Sequence, residues 1–388
     1  METLNIKNAI IGAGAMGSAA AYHLARRGEP VALVEQFELG HSRGSSHGAA
    51  RITRHSYADT RYARLMPAAF RAWRELEADA GEALYFRTGG VSFSPPGVDY
   101  AARVAASLGE LGVPHWRGSG RDFRRRQPAF VLPEGSDVVF EPDAGLIAAA
   151  RAVAVQVELA RAHGGASTTV LDRTAVRAID LEGTRPVIVT DATRIVADRL
   201  IVAAGAWVKR LLPDLPVPVR ITRQQVLYFR PADPAAFQIG RFPVFIYKGP
   251  GEDDAFYGMP DFLGLGVKAA RHAGPEVDPD IDDRSIGDDY RAIVRDFLRG
   301  HIPALADAEL ARTEVCLYTV APDDEFTVDF LPMRPDVIVA SPCSGHGFKF
   351  SCLIGRVLAD LATTGRSDVP IETWRIPPTV AGRLAVLS

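Results

Sequence analysis

Residues 9–11 form a short apolar run bounded by glycine, the pattern of a buried parallel strand. Gly12-Ala13-Gly14-Ala15-Met16-Gly17 follows. Residues 18–27 are alanine-rich around Leu24 and favour helix, which Gly28 stops. Residues 31–35 are apolar up to Glu35, so the order is strand, glycine turn, helix, strand. Residues 61–80 carry Leu65, Ala69, Trp73 and Leu76 at helical spacing and predict one amphipathic helix. Residues 86–94 are β-like around Gly89-Gly90, Pro95-Pro96-Gly97 breaks the chain, and residues 100–111 predict another helix. Glu141-Pro142-Asp143-Ala144-Gly145 reads as a boundary. A helix over 146–163, a strand over 167–171 and a hairpin of 187–190 with 193–196 come next. The apolar stretch from Leu200 then ends on Gly205, Ala206 and Trp207.

The middle of the chain changes pattern. Residues 219–229, 245–248, 255–258 and 265–269 are short β-like pieces divided by proline, glycine and acidic turns, which fits antiparallel sheet. An amphipathic helix is expected over 282–299, a strand carrying Cys316 over 313–320 and a buried strand over 337–340. The glycine-containing stretch Ser344-Gly345-His346-Gly347-Phe348-Lys349 then opens a helix reaching about residue 364. The fold class is α/β with two domains. Residues 1–86, 147–218 and 323–388 read as a discontinuous Rossmann-like domain. Residues 87–146 and 219–322 read as an antiparallel β-rich substrate domain.

Composition narrows the function. At 388 residues with 47% hydrophobic content, the chain can bury two sizeable cores. The net charge is −3 and no basic stripe stands out, which argues against nucleic acid; the arginine-rich residues 121–127 read as a solvated helix face. No apolar run approaches a membrane span. Residues 1–7 are polar and run into the first strand, leaving no room for a signal peptide. Three cysteines, Cys316, Cys343 and Cys352, are too few and odd in number for a disulfide framework. A soluble cytoplasmic protein without a metal is expected.

Each glycine of the first turn has its own task. Gly12 permits the tight turn, Gly14 lets backbone approach a pyrophosphate, and Gly17 lets the helix pack close to the sheet. Free N–H groups at the helix start then face phosphate, with Met16 beside them. Glu35 can accept hydrogen bonds from both ribose hydroxyls and would repel a 2′-phosphate, which disfavours NADP. The motif alone leaves FAD and NAD open. The polar, cationic residues 40–51, including Ser45, form a loop able to wrap the diphosphate and flavin of an extended FAD. Gly205 and Trp207 end a strand that would pass under such a cofactor.

Several stretches together resemble the monomeric sarcosine oxidase family, which includes N-methyltryptophan oxidase, within the D-amino acid oxidase superfamily. They are Ser45-Ser46-His47-Gly48-Ala49-Ala50-Arg51-Ile52-Thr53-Arg54-His55-Ser56-Tyr57, Tyr257-Gly258-Met259-Pro260, Gly266-Val267-Lys268 with His272, Val315-Cys316-Leu317-Tyr318-Thr319, and Ser344 to Ser351. The similarity runs almost end to end. It implies a monomeric FAD enzyme that oxidises secondary amines of amino acids with O2, giving H2O2 and an imine that hydrolyses.

By the same resemblance, Cys316 attaches FAD covalently through a thioether to the 8α-methyl, with basic neighbours lowering its thiol pKa. Lys268 stands above flavin N5 and promotes the reaction with O2, where negative charge develops. Arg51 lies on the other side of the ring system, and His272 near the substrate amine. Arg54 and Lys349 bind the substrate carboxylate, and Tyr257 and Tyr318 border the substrate. Gly345, His346 and Gly347 approach the flavin O2 edge. No Asp or Glu stands in the matched motifs, so no strong enzyme base is expected. Cys343 and Cys352 are expected to be structural, with Cys343 near the flavin. The chain departs from the family at Ala49-Ala50, where larger polar residues are usual, and the expected result is a wider or drier pocket that admits bulkier substrates. Ile246 stands in place of a pocket methionine. Two other readings remain: a dehydrogenase passing electrons to another acceptor, which Lys268 argues against, and a flavin-binding module without turnover.

Overall fold

The structure is a computed structural model that describes residues 2–281 and 283–376. Residue 1 and residues 377–388, assigned above to the dinucleotide domain, and the expected helix start at Asp282 lie outside the described residues.

Five parallel strands form the centre of the first sheet, in the order Thr168–Leu171, Val31–Val34, Glu2–Ile11, Thr193–Val202 and Arg334–Ser341. Side-chain alternation buries both faces of these strands at their carboxyl ends, except in Thr168–Leu171, whose residues are half-buried. Ile10, Leu33, Ile201 and Ile338 face the helices Ala15–Arg26, Met66–Ala80, Ala149–Gly164 and Ser351–Thr364. Ala9, Ile11, Val34, Leu200 and Val339 form a second layer with Val208, Leu212 and Leu215. The chain leaves Glu2–Ile11 for a neighbour on one side and returns on the other, which opens a crevice at the carboxyl ends of these strands.

Helix packing on this sheet is close. A Cβ built on Gly355 would lie 2.4 Å from Ala19 Cβ and 2.6 Å from its carbonyl carbon. Gly355→Ala gains ~1 kcal/mol of helix propensity but must push the two helix backbones apart, so a net loss of ~1 kcal/mol or more is expected, read as a lower thermal midpoint. A midpoint at or above wild type would show that the helices separate freely.

The second sheet runs in the order Glu309–Val320, Arg220–Arg230, Val267–Arg271, Ala255–Met259, Val244–Lys248, Gly90–Ser94, Asp137–Glu141 and Trp116–Ser119. Its pairs are antiparallel except one: Val244–Lys248 runs parallel to Gly90–Ser94. The exception joins pieces far apart in sequence, where no hairpin dictates direction. One face carries Leu227, Phe229, Phe245 and Phe256 beneath the helix Asp288–His301, with Phe256 stacked on Phe297 at 4.1 Å. The opposite face is turned toward the crevice. A three-stranded sheet of Ala50–Thr53, Gly145–Ala148 and Tyr85–Arg87 is also present.

Some local expectations fail. The single helix over 61–80 is two, Thr60–Ala63 and Met66–Ala80, because Pro67 has no N–H to carry the ladder across. Residues 146–148, expected as helix, belong to the strand Gly145–Ala148, which two neighbouring strands pair on both sides. The hairpin's second piece and the apolar stretch after it are one strand, Thr193–Val202. Among the described residues no helix is long and apolar enough to cross a membrane.

Candidate active site

A cavity of about 990 Å³ runs from the glycine turn to the crevice face of the second sheet. Every residue assigned above to catalysis, substrate or cofactor lines it except Gly17. Gly17 instead meets the sheet: its Cβ would sit 1.8 Å from Gly12 O and 3.2 Å from Ile10. Gly12 has φ +98°, and its Cβ would lie 2.4 Å from Ala203 O, so only glycine makes the turn. Not all the amides at this turn are open. Ala13 N–H donates to Glu35 Oε2 at 2.9 Å, and Ala15 N–H to Ser46 Oγ at 2.9 Å. Phe37 N–H donates to Glu35 Oε1 at 3.0 Å and His41 Nε2 lies 3.4 Å from the same oxygen, which leaves Oε2 with a lone pair for a ribose hydroxyl. Burial raises the pKa of this carboxyl, but His41 and the two amides outweigh it and hold it low. Gly205, at φ +52°, and Trp207, held by Asp280 at 2.7 Å, complete this end.

At the other end, strand alternation assembles the chemistry. Glu314, Cys316 and Tyr318 share one face of Glu309–Val320, while Val315 enters the opposite core. Lys268 pairs across the sheet with Tyr228 and Met259, and Tyr257 with Ile246 and Ala270. Lys268 is only 4% exposed and donates to Ala50 O at 3.4 Å. Burial, then Arg51, push it down to about 7 against the pull of Glu314 and Cys316. Arg51 is fixed by three carbonyls, Ala50, Ser45 and His47, at 3.0, 2.9 and 2.7 Å. Ser45 in turn donates to Leu317 O, tying this loop to the strand of Cys316. The thiol of Cys316 is pushed up, contrary to expectation: burial outweighs the nearby Arg51 and Lys268.

The third group surrounds Arg54. Its guanidinium lies 4.4 Å over the Tyr57 ring, and its buried Nε and Nη1 have no hydrogen-bond partner among the described residues. Lys349, 5% exposed, donates to Tyr57 Oη at 2.9 Å and His346 O at 2.6 Å, and burial and Arg54 hold it well below the usual lysine range. His346 spans Tyr57 Oη at 3.2 Å and Asp324 O at 3.0 Å. Gly345 has φ +74°, and its Cβ would strike Tyr318 and His272 at 2.6 and 2.7 Å. Gly347 likewise abuts Pro342 O. Burial, then Lys248, Lys349 and Arg54, push His272 down to about 4, and burial raises Tyr257 and Tyr318. These three side chains are therefore neutral near pH 7.

The fully buried Glu141 holds the Arg54 segment in place. Its carboxylate accepts from His55 N–H at 2.9 Å, from Ser56 N–H at 3.0 Å and from the Ser56 hydroxyl, and meets His55 Nδ1 at 2.7 Å.

Ala49 and Ala50 do not line the cavity: Ala50 packs with Ala144, Leu146, Val244 and Met259, and only its carbonyl meets Arg51 and Lys268. Outside the matched stretches an acid also lines the cavity: Glu314, two residues before Cys316, accepts from Tyr228 at 2.9 Å, and against burial Lys268 and Tyr228 hold its carboxyl low. The alternation of Glu314 with Cys316 and Tyr318 was the signal for it. Tyr57, Ser46, Lys248 and Glu141 were also missed as site residues. Cys343 lines the cavity, while Cys352 lies in the first core and accepts from Gln156 at 3.3 Å.

A family model described as FAD dependent oxidoreductase, DAO, matches residues 7–361. The chain is 33% identical over 376 residues to the monomeric sarcosine oxidase of Bacillus sp. (strain NS-129), with 95% of each covered. It is 32% identical over 374 residues to the N-methyl-L-tryptophan oxidase of Yersinia pestis (strain Pestoides F), covering 95% of this chain and 97% of that one. Its fold is similar to that of NikD, an amino acid oxidase essential for nikkomycin biosynthesis, at TM-score 0.85 and 22% identity over 96% of this chain and 97% of that one.

Proposed function

The chain belongs to the DAO family of FAD-dependent oxidoreductases, and from that membership we propose that it is an FAD-dependent oxidase of a secondary amino acid, N-methylated or cyclic, using O2 and releasing H2O2. The observation that carries this reading is Arg54: a buried guanidinium with unpartnered donors, beside Lys349, in the same cavity as the glycine turn and Lys268. Buried unsatisfied donors of this kind call for an anion, and an α-carboxylate fits the fork.

The residues present suit FAD. Gly12 and Gly14 line the cavity at the start of the helix Ala15–Arg26, where a pyrophosphate would sit. Glu35 would hold the ribose, Ser45, Arg51 and Trp207 the middle of the cofactor, and Gly345, His346 and Gly347 its far edge, with Cys316 as the covalent anchor. Residues 1–86, 147–218 and 323–388 are read as the domain that binds it, and 87–146 with 219–322 as the substrate domain. When bound, FAD accepts the hydride equivalent from the amine and delivers electrons to O2.

Arg54 and Lys349 orient the substrate by its carboxylate. Neutral His272, Tyr257 and Tyr318 surround the amine without adding charge, which favours its free-base form, whose lone pair assists C–H cleavage. Lys268 supplies positive charge where O2 is reduced. The test is H2O2 release with sarcosine, N-methyltryptophan, pipecolate and proline. Release with at least one is expected, and no release with any of them overturns the reading.

Cys316→Ala is expected to leave no flavin on any peptide. After acid precipitation the yellow colour then moves from the pellet to the supernatant. Colour kept in the pellet of the variant would place the linkage elsewhere, with Cys343 the first residue to check.

A further inference from the structure

Beyond the carboxylate clamp the cavity holds another cation. Lys248 ends the strand Val244–Lys248 and shares its face with Ile246, whose cross-strand partner is Tyr257. Both Ile246 and Lys248 line the cavity. The Lys248 side chain is half-buried, and its amine makes no hydrogen bond or ion pair with a described residue. It acts on the His272 imidazole together with Lys349 and Arg54, and is the strongest of the three charges there.

The carboxylates nearby do not cancel it. Asp323 and Asp324 line the same cavity, and Asp324 and Glu252 both attract Lys248, yet neither pairs with it. Asp324 is itself exposed to solvent, and no hydrogen bond or ion pair joins its carboxylate to Lys248. Of the other cations at this end, Arg61 is paired to Asp59 at 2.7 Å and also to Glu325, and Arg103 is exposed and acts on Asp59. One α-carboxylate needs Arg54 and Lys349, and Lys248 is left over.

We propose that Lys248 receives a second carboxylate, so that the preferred substrates are N-methylated or cyclic secondary amino acids with an acidic side chain. This rests on the oxidase reading above and adds the substrate class to it. A half-buried ammonium with no partner binds a substrate carboxylate better than a neutral isostere, because the charge-assisted bond replaces water at a site already partly desolvated.

The experiment compares each acid with its amide. Wild-type kcat/KM is measured for N-methylglutamate against N-methylglutamine, and for N-methylaspartate against N-methylasparagine, in both enantiomers, with sarcosine alongside. At least one acid is expected to exceed its amide by ~10-fold or more. Lys248→Met is expected to bring that ratio near one, and Lys248→Arg to keep it above one. Acids no better than their amides in the wild type, or a ratio unmoved in Lys248→Met, overturn the assignment even if sarcosine is oxidised. The wild-type comparison decides without any variant. If no amine, sarcosine included, is oxidised, the oxidase reading falls and this inference with it.

Discussion

Replacing Lys268 by methionine slows the reaction of amine-reduced enzyme with O2 by ~10² to 10³, because one well-placed charge at a developing anion is worth ~3 to 4 kcal/mol. Amine oxidation, measured anaerobically by stopped flow, falls far less. The structure supplies the setting for this asymmetry. Lys268 is buried beside Tyr228, Tyr257 and Arg51, with Glu314 as the carboxylate that draws on it. Methionine keeps the volume and removes the charge. Burial and Arg51 lower the Lys268 pKa to about 7, so its charge is present below that value and lost above it. In the wild type, the second-order rate with O2 therefore declines as pH rises through the Lys268 titration, and that decline is absent from Lys268→Met. Equal slowing of both half-reactions would remove Lys268 from the oxygen step.

Arg54→Ala raises KM for amino acid substrates by a factor corresponding to ~2 to 5 kcal/mol, the loss expected when a buried carboxylate gives up a charge-assisted fork. Lys349 cannot replace the fork, since two of its three N–H donors go to Tyr57 and to the His346 carbonyl and only one is left for the carboxylate. The informative measurement is a matched pair, pipecolate against piperidine, in wild type and variant. The ratio of their kcat/KM values is expected to collapse in Arg54→Ala. If both compounds lose activity by the same factor, Arg54 does not bind the carboxylate, and the amino acid assignment loses its main physical support.

The sequence made the glycine turn legible because its demands are local: a positive φ at Gly12 and backbone contact at Gly17 can be met by no other residue. It also showed the two layers, since continuous apolar runs and short alternating pieces bury their faces differently. Residues 146–148 were misread because Leu-Ile-Ala suits a helix and a strand equally, and pairing on both sides decided the matter. At the site, residues inside recognisable stretches were found, but their charge states were not. The Cys316 thiol has the basic neighbours expected of it, and burial still prevails. Lys248 and Glu141 stayed hidden because their meaning depends on what distant strands bring beside them. Nothing in Glu141-Pro142-Asp143 announces that its first carboxylate grips the backbone of residues 55 and 56.

Chain order at the cavity also bears on biosynthesis. The residues read as the adenosine end, Gly12 to Glu35, leave the ribosome before the rest of the cavity, and Arg54 soon after. The carboxylate that fastens the Arg54 segment follows at Glu141, the cation proposed for oxygen at Lys268, the thiol at Cys316 and the second residue of the proposed clamp at Lys349. The strand Thr193–Val202, whose end closes over the glycine turn, also emerges well after it. A nascent or prematurely ended chain therefore displays the nucleotide turn long before it has the thiol. The proposed anchoring of the cofactor through Cys316 is then open only to a chain extended past the strand Glu309–Val320.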